Sequence, residues 1–277
     1  MKLNIREESF HYLRKENKTE SDFKLKAGIF FRQRILRKFE LPYLELFITT
    51  RCNLKCKHCS NLIPSLESKC NFDAAGVIRT VDLLLSKIDC LYRLKIHGGE
   101  VFLHPQLREI IDYLKTEKKI KSIRLTTNGT VIPSDEVLKS IANGNIVVQI
   151  SDYDLGNSKV VQLIDKLKSF GIAYAYLKEQ AWSDMGEFEA RENSRFDDCT
   201  VKRCTSVFEG KLYVCSRAAI MAKQGIIVDE GIPLSLDGRE LRKSIKNLYN
   251  GKSSIACRHC DGDTRFARVI KAGEQTE

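Results

Sequence analysis

TTRCNLKCKHCS, residues 49–60, places Cys52, Cys56 and Cys59 within eight residues, directly after an apolar run that reads as a strand over 45–50. A cationic residue stands beside almost every sulfur: Arg51, Lys55 and Lys57 would help to stabilise thiolates there. Three thiolates at C-x3-C-x2-C spacing can ligate three irons of a [4Fe–4S] cluster and leave the fourth iron open. Zinc is the competitor, although structural zinc sites usually combine two close pairs in a closed four-coordinate site.

From about residue 42 the chain alternates short β-rich runs with longer amphipathic ones, the pattern of βα units and a parallel sheet. The helix expected over 72–88 is followed by a strand over 93–98 and a helix from Gln106 to about Glu117. Then come a strand over 122–129, a helix from Asp135 to Ala142, a strand over 146–151, a helix from Lys159 to Phe170 and a strand over 173–178. Five or six such units are too few to close an eight-stranded barrel, so the expected fold is α/β, a partial (β/α)6 TIM-like barrel with a small cysteine-rich C-terminal domain. The expected divisions are a helical extension over 1–40, a core over 41–195 and the C-terminal domain over 196–277, with 179–198 an irregular connection.

Each motif falls where a strand gives way to its loop. The cysteine loop follows the first strand, HGGE (97–100) the second, TTNG (126–129) the third and SDYD (151–154) the fourth. In HGGE, Gly98 and Gly99 permit close backbone approach, and Glu100 is an acceptor suited to an ammonium group. Thr126, Thr127, Asn128 and Ser151 offer hydroxyl and amide groups to ribose or carboxylate oxygens, although Asn-Gly and Ser-Asp are also ordinary turn chemistry.

These motifs, in this order, resemble the radical S-adenosylmethionine (SAM) superfamily over roughly residues 42–178. The position before the third cysteine, usually aromatic in that family, is His58 here. The resemblance implies that Cys52, Cys56 and Cys59 hold a [4Fe–4S] cluster whose open iron chelates SAM. His58, Gly98, Gly99, Glu100, Thr126, Thr127, Asn128 and Ser151 would border that cofactor. One-electron reduction would cleave SAM to methionine and a 5′-deoxyadenosyl radical that takes a hydrogen atom from substrate.

Five of the ten cysteines lie between 199 and 260. Cys204 and Cys215 flank SVFEGKLYV, which reads as a hairpin turning at Glu209-Gly210, and Cys257 and Cys260 form a C-x2-C pair. On spacing alone these four sulfurs could close on zinc. The run Gly210 to Cys215 followed by C-x2-C resembles the twitch domain, a shortened SPASM domain, and implies one auxiliary [4Fe–4S] cluster, with Cys199 an alternative to Cys204 as first ligand. Cys70 and Cys90 read as core thiols, and His11, His97 and His104 lack a ligand partner at helical spacing.

Relatives with a twitch domain imply oxidation of a sugar-like or aminocyclitol-like alcohol, the auxiliary cluster accepting an electron. The alternative is a peptide maturase or epimerase, in which Cys70 could supply a hydrogen atom. A non-catalytic iron–sulfur or zinc scaffold has no need of the GGE and TTNG motifs. Asp152, Tyr153 and Arg217 are candidate catalytic residues, and Glu179, Trp182 and Asp184 candidate substrate contacts. The net charge of +10 is spread without a basic block, which argues against nucleic acid and for an acidic partner such as a flavodoxin or ferredoxin electron donor. With no signal-peptide core and no membrane-length apolar run, the expected location is the cytoplasm.

Overall fold

The computed structural model describes residues 31–276 apart from 33, 34, 37, 143, 187, 193, 202, 203, 251–253, 265 and 266. The helices expected over 1–40, and His11, thus fall almost wholly outside the described residues. In chain order the strands are β1 (Glu40–Leu41), β2 (Leu44–Thr49), β3 (Cys90–Gly98), β4 (Ile120–Thr127), β5 (Ile146–Asp152), β6 (Ala173–Lys178), β7 (Ala181–Ser183), β8 (Ser206–Phe208), β9 (Lys211–Tyr213), β10 (Ile232–Pro233) and β11 (Val269–Lys271). The helices are α1 (Ala74–Lys87), α2 (Leu107–Thr116), α3 (Asp135–Ile141), α4 (Val160–Ser169), α5 (Ser216–Lys223) and α6 (Gly238–Asn250).

Strands β2 to β6 pair in parallel, in chain order, with α1 to α4 as the crossovers, which is the α/β partial-barrel arrangement expected. One sheet face is apolar at alternate positions: Leu44, Leu46 and Ile48 of β2, Leu94 and Ile96 of β3, Ile123 and Leu125 of β4, and Val148 and Ile150 of β5. Helix α1 meets it with Val77, Val81, Leu84 and Leu85, whose spacing puts them on one helical stripe, and α2 and α4 add Ile110, Leu114, Leu163 and Leu167. Asp73 starts α1 by accepting from Gly76 N at 3.1 Å, and Ser134 caps α3 in the same way.

The other sheet face is polar and charged. Glu45 stands in register with Lys95, and Lys95 with Arg124, while Phe47 is opposite His97. The buried Glu45 carboxylate accepts from Tyr43 Oη at 2.6 Å, Lys95 Nζ at 3.1 Å and Ser206 Oγ at 3.0 Å. Burial pushes this carboxyl up, but Lys95, His97 and the Tyr43 hydroxyl outweigh it and hold it down to about 2.

The cysteine-rich C-terminal segment joins this sheet directly. Strand β8 pairs in parallel with β2, Glu45 opposite Ser206, and β9 pairs back on β8 through the turn at Glu209 (φ 47°) and Gly210 (φ 73°), forming the hairpin read from the sequence. A second apolar cluster fills the junction, with Phe47, Leu62 and Ile63 against Phe208, Val214, Ala219 and Met221. The connection read as irregular over 179–198 contains a strand: β7 pairs antiparallel with β11, a partner from the far end of the chain that no local pattern announces.

His97 is buried against Phe47, with ring centroids 4.4 Å apart. Burial pushes its pKa down to about 4, although Glu45 opposes this. An unfolded histidine takes up a proton near 6.5, so its contribution to stability is complete above about pH 6.5 and falls as pH drops toward the folded value, by roughly 3 kcal/mol. Denaturant unfolding from about pH 7 down to about pH 4.5 should record that loss. His97→Phe keeps a ring beside Phe47 and cannot titrate, so its stability should vary less steeply with pH, by about one proton. Equal slopes in the two proteins would reject the assignment.

Candidate functional site

The cysteine loop leaves the end of β2 and is seated on Gly98, the last residue of β3, and on Gly99, which follows it. Gly99 N donates to Thr49 O at 3.0 Å and Glu100 N to Arg51 O at 2.8 Å. A Cβ at Gly98 (φ 145°) would stand 2.0 Å from Thr49 O, and one at Gly99 would stand 2.0 Å from Arg51 O and 3.0 Å from Cys52 N. The close approach these glycines allow is therefore to the backbone that starts the cysteine loop.

Glu100 is fully buried and organises what surrounds that loop. Its Oε1 accepts from Phe102 N at 3.0 Å and Thr127 Oγ1 at 2.8 Å, and its Oε2 accepts from Asn128 N at 2.8 Å. Burial pushes its carboxyl up to about 7, and these three donors oppose the rise. Asn128 then reaches the cysteine loop: its Nδ2 donates to Asn53 Oδ1 at 3.1 Å and lies 3.9 Å from Cys52 Sγ. Asn53 in turn donates to Thr130 Oγ1 at 2.7 Å. Three strand ends, β2, β3 and β4, are thus tied around the sulfurs.

Burial pushes the Cys52 thiol up to about 12, with Glu100, Cys59 and Cys56 adding to the rise. Cys56 and Cys59 are raised by burial as well, and Arg217 partly offsets this at Cys59. Thiols held this way part with their protons when a metal takes the proton's place. Three soft donors on one short loop are the chemistry an iron–sulfur group requires.

A cavity of about 220 Å³ lies beyond Asn61, and Cys199, Cys204, Cys215, Cys257 and Cys260 all line it. The sequence reading brought four of these together and left Cys199 as an alternative; in the fold all five line the one cavity. Cys215 caps α5, accepting from Ala218 N at 3.4 Å. Gly262 N donates to Cys260 Sγ at 3.2 Å, and a Cβ on Gly262 would stand 3.4 Å from Cys199 Sγ, so Cys199 and Cys260 flank one turn. Cys204 faces the Glu45 and Lys95 end of the cavity. Among the described residues no three Cys, His, Asp or Glu side chains converge on a single-ion site.

Arg217 also lines the cavity and is buried, donating to Gly186 O at 2.9 Å and lying over the Phe188 ring. Its Nε has no hydrogen-bond partner among the described residues. Ser151 is buried beside Tyr153, and Tyr153 packs edge-on against Trp182 at 5.1 Å. Thr126 Oγ1 is buried without a partner among the described residues. His58 Nδ1 lies 3.7 Å from Asp184 Oδ1, which links the cysteine loop to the β7–β11 ribbon. Asp152 stands apart, its carboxylate taken by Asp154 N and Tyr176 Oη, while Glu179 is raised by burial.

Cys90 is buried, as expected, but Cys70 is exposed and is not a core thiol. Its backbone N–H and C=O bond Thr50 at the start of the cysteine loop, which holds residue 70 at the surface. His97 and His104 are buried, the latter joined to Phe72 O at 2.8 Å. Sequence reasoning missed Asn53, Asn61, Thr130 and Gln275, polar residues whose roles come from partners distant in the chain. Among the described residues no helix is long and apolar enough to cross a membrane.

Gly99→Ala should push its Cβ into the Arg51 carbonyl, displace the start of the cysteine loop and cost on the order of 1–3 kcal/mol. Gly156, with nothing within 4 Å of a built Cβ, supplies the control substitution Gly156→Ala. Denaturant unfolding of the two variants should separate them; equal stability would show that the loop yields freely.

Residues 46–151, the stretch that holds the cysteine loop, HGGE and TTNG and ends at Ser151, match the model of the Radical SAM superfamily. Over 128 residues the chain is 38% identical to the antilisterial bacteriocin subtilosin biosynthesis protein AlbA of Bacillus subtilis (strain 168), an alignment covering 44% of this chain and 27% of AlbA. Over 173 residues it is 29% identical to a probable GTP 3′,8-cyclase of Methanococcus maripaludis (strain DSM 14266), covering 61% of this chain and 55% of the cyclase. The matched region is thus about a quarter of the one relative and about half of the other. Among solved structures, native anSMEcpe with bound AdoMet and Cp18Cys peptide aligns with a TM-score of 0.52 at 15% identity, over 81% of this chain and 89% of that chain, which is a likeness of fold. Over residues 46–151 this chain is therefore similar to the Radical SAM superfamily.

Proposed function

We propose that this chain is a radical SAM enzyme that modifies a peptide. The observation that carries the reading is the joining of the three-cysteine loop, HGGE and TTNG through Glu100 and Asn128. Identity to a bacteriocin biosynthesis protein favours a peptide substrate over the sugar-like alcohol expected from the sequence. Cys52, Cys56 and Cys59 would hold a [4Fe–4S] cluster. With SAM bound, that cluster supplies a 5′-deoxyadenosyl radical able to take a hydrogen atom from substrate.

The chain's own residues account for the rest. Three of the about four lone-pair sites on the buried Glu100 carboxylate are taken by donors of the rim, so it would orient the strand ends and the cysteine loop around the cofactor. Thr126, Asn128 and Ser151 supply hydroxyl and amide groups on neighbouring strand ends, and the buried guanidinium of Arg217 supplies a cation between the two cysteine groups. Four of the five cavity cysteines would hold an auxiliary cluster. The turn shared by Cys199 and Cys260 favours Cys199, with Cys215 and Cys257, over Cys204. The chain's positive charge suits an acidic electron donor of the flavodoxin or ferredoxin kind.

Reduced, anaerobically reconstituted protein incubated with SAM should release 5′-deoxyadenosine, and the variant with Cys52, Cys56 and Cys59 all replaced by Ala should release none. Full release by that variant would overturn the reading. Peptides encoded beside the gene should change in mass or take up solvent deuterium, whereas turnover of GTP alone would assign the chain to cyclase chemistry.

Two cubane clusters contain about eight irons per chain. Cys204→Ala should keep that content, and Cys199→Ala should lose about half of it. The reverse result would make Cys204 the fourth ligand.

A further inference from the structure

The last described residues return to the first cysteine loop. After β11, Ala272 N bonds Gln180 O at 3.1 Å, and Gly273 (φ 70°) turns the chain over Tyr153, where a Cβ would stand 2.5 Å from that of the tyrosine. Residues 274–276 then run antiparallel to the loop: Lys57 N donates to Glu274 O at 2.7 Å, and Thr276 N donates to Lys55 O at 2.8 Å. Between them Gln275 presents its side-chain amide. Its Oε1 accepts from Lys55 N at 2.8 Å, which fixes the amide orientation, and its Nε2 donates to Cys56 Sγ at 3.2 Å and to Gly273 O at 2.6 Å.

We propose that Gln275 is a positioning residue for the first cluster, donating an N–H to the Cys56 sulfur and so making that cluster easier to reduce. The inference rests on the reading of Cys52, Cys56 and Cys59 as cluster ligands. Reduction adds an electron, and part of the added charge falls on the ligand sulfurs. A donor aimed at one sulfur therefore favours the reduced form over the oxidised one. Gln275 is itself exposed while Cys56 is buried, so the amide bridges from the surface to the sulfur. The backbone pairing of 274–276 holds the amide in place independently of what the side chain does.

The test is a potentiometric titration, followed by electron paramagnetic resonance, of full-length reconstituted wild type, Gln275→Met and Gln275→Glu. The first loop's signal is identified as the one missing from the variant with Cys52, Cys56 and Cys59 replaced by Ala. Met has similar length and no donor, and Glu replaces the donor with a negative charge. The equilibrium for one-electron reduction should shift against reduction by about threefold to tenfold in Gln275→Met, the upper figure being about 59 mV, and further in Gln275→Glu. Iron content should stay at the wild-type value. Unchanged potentials would overturn the proposal, and so would iron loss in both variants at an unchanged potential, which is what a residue that only fastens the tail would give. Absence of any such signal from wild type would instead defeat the cluster reading itself, and this inference with it.

Discussion

The Glu100 carboxylate is the interaction on which the site depends. It is fully buried at the end of β3 and gathers Phe102 N, Thr127 Oγ1 and Asn128 N, while its own N–H holds Arg51. Two costs are accepted there: an anionic group is taken out of water, as its raised pKa records, and two glycines must precede it so that the cysteine loop can lie against the strand end. In return three loops that share no local sequence become one rigid rim. Loops set by buried donors and acceptors hold their side chains more closely than loops that meet only through solvent.

The second set of cysteines is placed by the sheet. Because β8 pairs with β2, the hairpin that leads to Cys215 extends from the same strand that launches the first cysteine loop. Glu45 secures the junction, joining β2 to Lys95 of β3 and Ser206 of β8. Asn61 and Arg217 then stand between the two groups of sulfurs, Asn61 bonding the Gly98 carbonyl at 3.3 Å and Arg217 acting electrostatically on Cys59. The two groups share one scaffold, so a displacement of β2 would move both.

The thiols share an electrostatic condition. Burial raises Cys52, Cys56 and Cys59, and it raises Cys199, Cys204, Cys215 and Cys257 likewise. Seven sulfurs in such surroundings stay protonated without a metal, so any metal bound there would have to displace protons. Donors already point at several of the sulfurs: Leu54 N and Asn128 Nδ2 at Cys52, Ala218 N at Cys215, Gly262 N at Cys260 and the Gln275 amide at Cys56.

Local sequence determined the elements and their order. The alternation of Leu44, Leu46 and Ile48, the helical stripe of Val77, Val81, Leu84 and Leu85, and the motif at each strand end all depend on spacing within a few residues, which sequence displays directly. It also set three soft donors within eight residues on one strand-end loop, a spacing that sequence displays directly. Only the tertiary structure decided which distant residues meet. Ribbon β7–β11, the pairing of β8 with β2, the gathering of Cys199 with the four other cavity cysteines, and the return of Gln275 to Cys56 all join segments far apart in the chain. Cys70 reached the surface for the same reason, its backbone captured by Thr50. Such contacts are selected by the packing of the whole sheet and leave no periodic trace in the segments that make them.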